Sequence, residues 1–106
     1  RFVCADLGKD AADTFSRQGQ TPPRLPSAEL VFSKETFNHM FVEDATHALC
    51  RLRDETGARY LVTNITRGAP NNRGATKGHH ANYAQYDYSL PPFNLRKLHT
   101  FGECNR

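Results

Sequence analysis

Several common features are scarce or absent in this chain, and each absence excludes something. No apolar run approaches the roughly 20 residues that a membrane-spanning helix requires, and no basic, apolar, small-residue leader opens the chain, so a soluble protein is expected. The three cysteines, Cys4, Cys50 and Cys104, form no CxxC pair and leave at least one thiol unpaired. That argues against a disulfide framework and a zinc ribbon and points to an intracellular, reducing compartment. Charge of one sign is scarce too: 14 basic and 11 acidic residues leave +3 at pH 7, too little to demand a polyanionic partner. Arg67, Arg73 and Lys77 form one loose basic cluster, which reads as a solvated loop and not as a nucleic-acid surface.

What is present is enough for one folded unit. A length of 106 residues allows one domain with a modest core. Hydrophobic content of 38% beside 24% charged residues, with a mean hydropathy of -0.69, implies a folded core with long irregular parts. "RFVCA" is short, apolar and β-branched or aromatic, and reads as a buried strand closed by Asp6 and Gly8. Arg1 stands where Met would begin a chain, directly before that run, which suggests polypeptide upstream. From Lys9 to Gly19 the pattern is weakly helical. "GQTPPRLPS" is then a loop, because Pro22, Pro23 and Pro26 interrupt regular hydrogen bonding.

"ELVFS" is apolar at consecutive positions, the pattern of a strand covered on both faces, as in parallel sheets. Val42, Ala45, Leu49 and Leu52 recur at spacings of three and four and predict a helix with one apolar face. Glu43 and Asp44 in its first turn and Arg51 and Arg53 in its last suit the macrodipole, and Gly57 offers a left-handed cap. "RYLVTNI" follows as a strand, so the middle of the chain reads strand, helix, strand, with a helix long enough to be a right-handed crossover between parallel neighbours. Asn64-Ile65-Thr66 matches a glycosylation sequon but ends this strand, and is read as a chance match. From Thr66 to Asn94 no period is sustained, and "RKLHTFGE" is expected to form one more strand. His79, His80, His99 and Cys104 have neither helical nor CxxC spacing, so no metal site is expected.

The order of these pieces resembles the class I S-adenosylmethionine-dependent methyltransferases. "ELVFSKETFNHM" is similar to that family's strand-to-helix segment, with His39 on the family's His and Ser33-Lys34-Glu35 on its Cys-Arg-Asp. "TGARYLVTNIT" falls on the next strand. Asn72-Arg73, Gly78, Tyr83 and Pro91-Pro92-Phe93-Asn94-Leu95 fall on the loop beyond it, with Tyr83 in place of a Trp and Ala84 in place of an Arg. The resemblance covers nearly the whole chain and implies an α/β fold. That fold would be a partial Rossmann-like methyltransferase sheet, mostly parallel, from the third strand onward, with a long irregular loop. Residues 1–106 would then form a single partial domain, with 66–94 as a lid-like or anchoring loop in which Tyr83, Tyr86, Tyr88 and Phe93 can fold back over the core.

The resemblance also implies roles. In open α/β sheets ligands lie outside the carboxyl ends of the strands. There Asp6 would accept a hydrogen bond from the adenine amino group of S-adenosylmethionine, Leu7 would pack on the base, and Ser33 and Lys34 would line the methionine side. His39 is the one candidate for proton transfer, and Arg73 and Tyr83 are candidates for contacting the methyl acceptor. Each has a plain structural reading beside it: a capping Asp6, a packed His39, a solvated Arg73. The family's glycine-rich turn and its ribose-binding acid have no counterpart, since Gly68, Gly74 and Gly78 follow a strand without opening a helix. Two functions are therefore expected as alternatives. The chain is the C-terminal part of a methyltransferase, inactive by itself, or an inactive structural or interaction subunit. In either case its exposed sheet edge is covered by the remainder of its domain or by partner subunits.

Overall fold

The computed structural model describes residues 7, 17–19, 24–72 and 83–100. Among them the elements run β1 (Leu30–Ser33), a 3-10 turn (Phe37–His39), α1 (Val42–Thr56) and β2 (Tyr60–Thr63). The two strands pair in parallel, with Leu30 opposite Tyr60, Val31 opposite Leu61, Phe32 opposite Val62 and Ser33 opposite Thr63. The fold is thus mixed α/β. Both strands are shorter than the sequence pattern suggests. Glu29 lies before β1 but its carbonyl accepts from the amides of Arg59 and Tyr60 (3.0 and 3.2 Å), and beyond Thr63 the chain leaves the sheet because Asn64 turns its side chain to other partners.

Helix α1 forms where the spacing predicts. It starts without a side-chain cap at Phe41, with Glu43 and Asp44 in the first turn, and ends at Gly57, whose φ of 70° is left-handed and whose amide bonds Arg53 O at 3.0 Å. Thr56 closes the last turn through its hydroxyl on Leu52 O and accepts from the Ala58 amide. The buried positions are Ala45, Ala48 and Thr56, and Val42, Leu49 and Leu52 flank them, half-buried. Two alanines at the centre of the stripe let large side chains approach the helix axis closely. Those side chains are Phe37 from the turn after β1 and Tyr86, Tyr88 and Phe93 from the segment that returns after residue 82. Burying each such ring stabilises the fold by about 1.5–3 kcal/mol relative to leaving it in water.

Both faces of the sheet were expected to be covered; among the described residues only one is. Val31, Ser33, Leu61 and Thr63 face the helix and the returning segment. Leu30, Phe32 and Tyr60, on the opposite face by alternation, are 52%, 72% and 45% exposed. The strand expected in "RKLHTFGE" is absent over residues 96–100, which are exposed and irregular. The Leu95 amide bonds Tyr88 O at 2.8 Å, and past that bond no described strand lies alongside to pair with. The strand expected in "RFVCA" lies outside the described residues. Of the weak helix only its end is described: Arg17 is helical and Gly19 is left-handed at φ 68°.

A Cβ at Gly57 would meet no atom within 4 Å, so the cost of a side chain there is conformational alone. Gly57→Ala is expected to destabilise the fold by about 1 kcal/mol, seen as a lower urea midpoint at unchanged slope. Gly57→Asn, which tolerates the left-handed region, is expected to lose less.

Candidate functional site

The carboxyl ends of β1 and β2 lie side by side, and the chain beyond them is held by amides. Glu35 adopts the left-handed conformation (φ 55°), and its backbone N–H donates to Asn64 Oδ1 at 2.7 Å. Asn64 Nδ2 donates to Asn38 Oδ1 at 3.0 Å, and Asn38 Nδ2 donates to Ala84 O at 2.8 Å. The Ala84 amide answers by donating to Asn38 O at 2.6 Å. One continuous path therefore joins the end of β1, the end of β2, the 3-10 turn and the returning segment. Asn38 at its centre is only 1% exposed. The Asn64 amide, the acceptor of the sequon match, is engaged on both its polar atoms.

The aromatic rings of the core meet at steep angles, edgewise or tilted. Tyr88 meets Phe37, Tyr86 and Phe93 with centroids 6.0, 6.2 and 5.1 Å away, and the Tyr86 hydroxyl donates to Met40 O at 2.6 Å. Tyr88 carries its hydroxyl into the interior, and burial pushes its phenol well above the ordinary tyrosine range, the nearby Thr63 hydroxyl offsetting this in part. Even so, neither Tyr88 OH nor Thr63 Oγ1 completes a hydrogen bond of good geometry, and the buried Ser33 Oγ also has no partner.

A second set of contacts fixes the far end of the returning segment. Asn71, buried and left-handed at φ 51°, donates through Nδ2 to Asp87 O, Pro91 O and Leu90 O at 2.6, 3.0 and 3.4 Å. Its Oδ1 accepts from the Asp87 amide at 2.8 Å. The buried Asp87 carboxylate accepts from the Ser89 hydroxyl and amide and from the Gly68 amide. The Ser89 hydroxyl foremost, then the two amides and the charge of Lys97, hold this carboxyl below the usual range against the opposing effect of desolvation.

The residues singled out from the sequence fall into three groups. Asp6 and Arg73 lie outside the described residues. Leu7 is half-buried against the aromatic core, Ser33 is buried with its side chain inward, and Lys34 is exposed just beyond β1. His39 and Tyr83, far apart in sequence, are brought together: their rings meet edge to face at 5.6 Å on the surface, with Tyr83 43% exposed. Asn38, Thr63, Asn71 and Asp87 were not singled out. A lone asparagine in a polar stretch reads as a turn residue, and only a long-range partner distinguishes a buried clamp from it. Among the described residues no group of three or more His, Cys, Asp or Glu could hold a metal ion, and no helix is long and apolar enough to cross a membrane. Comparisons with protein families, curated proteins and solved structures find no match.

Two outcomes are expected at Asn71 and Asp87. Asn71→Ala strands several buried groups and forces a left-handed alanine, lowering stability by roughly 2–4 kcal/mol, while Asn71→Gly recovers only the backbone part. Because the folded Asp87 carboxyl titrates below its unfolded value of about 3.9, its contribution is complete above that pH and is lost as pH falls through the folded value. Thermal melts between pH 6 and about pH 2 should show a steep acid loss that Asp87→Asn makes shallower.

Proposed function

We propose that this chain is part of an S-adenosylmethionine-dependent methyltransferase of the class I type, in which β1, α1 and β2 belong to a Rossmann-like sheet. The observation that carries the reading is the parallel strand–helix–strand unit, whose two carboxyl ends converge beside Lys34, Glu35, His39 and Tyr83. That end of such a unit is where open α/β sheets hold their ligands. Main chain at Ser33 and Lys34 would line the methionine side of the cofactor, Lys34 being exposed just beyond β1. Leu7 would supply an apolar flank for the base, and Asp6 would take the adenine amino group. His39 and Tyr83 stand on the acceptor side, with Arg73 in the loop between.

The cofactor supplies an electrophilic methyl group, and the protein contributes orientation of two bound reactants. Most of the polar contacts that would fix the cofactor have no counterpart in this sequence, so catalysis is assigned to the longer domain or assembly and not to residues 1–106 alone. The test begins with the native species, purified without denaturation and sequenced to its N terminus. Titration with S-adenosylmethionine, followed by amide NMR, is expected to move Leu7 and Ser33–Glu35. A native chain that begins at Arg1, elutes only with other subunits and binds no cofactor would overturn the enzymatic reading.

The second reading, an inactive structural or interaction subunit, is favoured by the bare apolar face of Leu30, Phe32 and Tyr60. Parallel sheets are ordinarily covered on both faces, and here the cover would come from a partner. Phe32→Ser should leave the stability of the chain within about 0.5 kcal/mol, as at ordinary surface sites. In co-elution experiments it should release the chain from its complex. Retained co-elution would count against a docking role for this face.

A further inference from the structure

We infer that Ser33, Thr63 and Tyr88 together form a binding site for a single internal water molecule beneath the carboxyl ends of the two strands. Three hydroxyls are gathered there without hydrogen-bond partners, each with its oxygen out of contact with solvent. Ser33 and Thr63 are register partners on the inward face of the parallel pair. Neighbouring strands stand about 4.8 Å apart, a spacing that cross-strand Ser and Thr side chains can bridge, yet these two hydroxyls do not bond each other. A water about 2.8 Å from each oxygen spans that gap with ordinary geometry. Tyr88 reaches the same place from the returning segment, as its interaction with the Thr63 hydroxyl requires.

The chemistry of the surroundings selects the ligand. Among the described residues the ionisable side chains acting on the Tyr88 phenol are the phenols of Tyr86 and Tyr83, and its ring also packs on Phe37 and Phe93. Among the described residues no charged group acts on the Tyr88 phenol, so among them an anion or a cation at this place would find no compensating charge. Hydroxyls can each donate or accept, and three of them around one water match the usual number of bonds made by buried waters, about three. Such a water would tie both strand ends to the returning segment, at a level below the Asn38 and Asn64 amides. The inference does not depend on either functional reading.

The sign of a mutational effect tests it. If a water is held, Tyr88→Phe removes one of its three partners and lowers the folded-to-unfolded ratio several-fold, and the triple variant Ser33→Ala, Thr63→Val, Tyr88→Phe recovers much of the loss because nothing polar remains to satisfy. If the hydroxyls are simply unpartnered, each single replacement raises the ratio and the effects add. Oxygen-17 relaxation dispersion on the intact chain supplies the direct readout, one that does not rest on stability. A long-lived internal water that disappears in the triple variant is expected. An identical signal in both proteins, or additive stabilisation by the single variants, would overturn the inference.

Discussion

The buried side chain of Asn38 is the contact on which the rest of the structure depends. It accepts from Asn64 at the end of β2 and donates to Ala84 on the returning segment, while its own carbonyl takes the Ala84 amide. Two strands by themselves have little stability, so among the described residues the helix and the aromatic segment must be held against them if the unit is to bury a core. Amides are suited to the task. One side chain offers both donors and an acceptor without a charge, and so bridges two backbones in the interior with no ion to desolvate.

Packing follows from where that clamp places the aromatic residues. Ala45 and Ala48 give α1 a shallow face, and Tyr86, Tyr88 and Phe93 fill the space above it together with Phe37. Small side chains on the helix and large ones on an irregular segment interdigitate as layers do in a well-packed core. The arrangement explains how residues without regular secondary structure come to supply most of the buried rings. It also explains why Asp87, between two of those tyrosines, is buried with three donors on its carboxylate: its backbone is needed in the core path, and its side chain must be satisfied locally.

Function in this architecture is a matter of the two surfaces left over. At the carboxyl ends of the strands the His39–Tyr83 pair lies on the surface, on the side where open α/β sheets hold their ligands. On the opposite face of the sheet, Leu30, Phe32 and Tyr60 remain open to solvent. Under the proposed readings the first surface would take a small molecule and the second a covering layer of protein. A polypeptide that completed both would be the remainder of one domain or a subunit packed in its place.

Local residues sufficed for some of this. The helix from Val42 to Thr56, its acidic start and its Gly57 cap were legible because periodicity, dipole and left-handed turn are all properties of neighbours in the chain. The parallel relation of the flanking strands followed from the length of the connection. Other parts were decided only by tertiary structure. Whether "LVF" is covered on one face or two depends on what lies beside the sheet, and Phe32 is bare although its pattern is that of a buried strand. "RKLHT" has the composition of a strand and forms none, since a strand exists only through a partner. Asn38 and Asn71 look alike in the sequence as polar turn residues, and Asn64 as the end of a strand. Their place in the fold comes from hydrogen bonds to residues 16 to 46 positions away, and a contact at that separation is a product of folding that local chemistry alone does not encode.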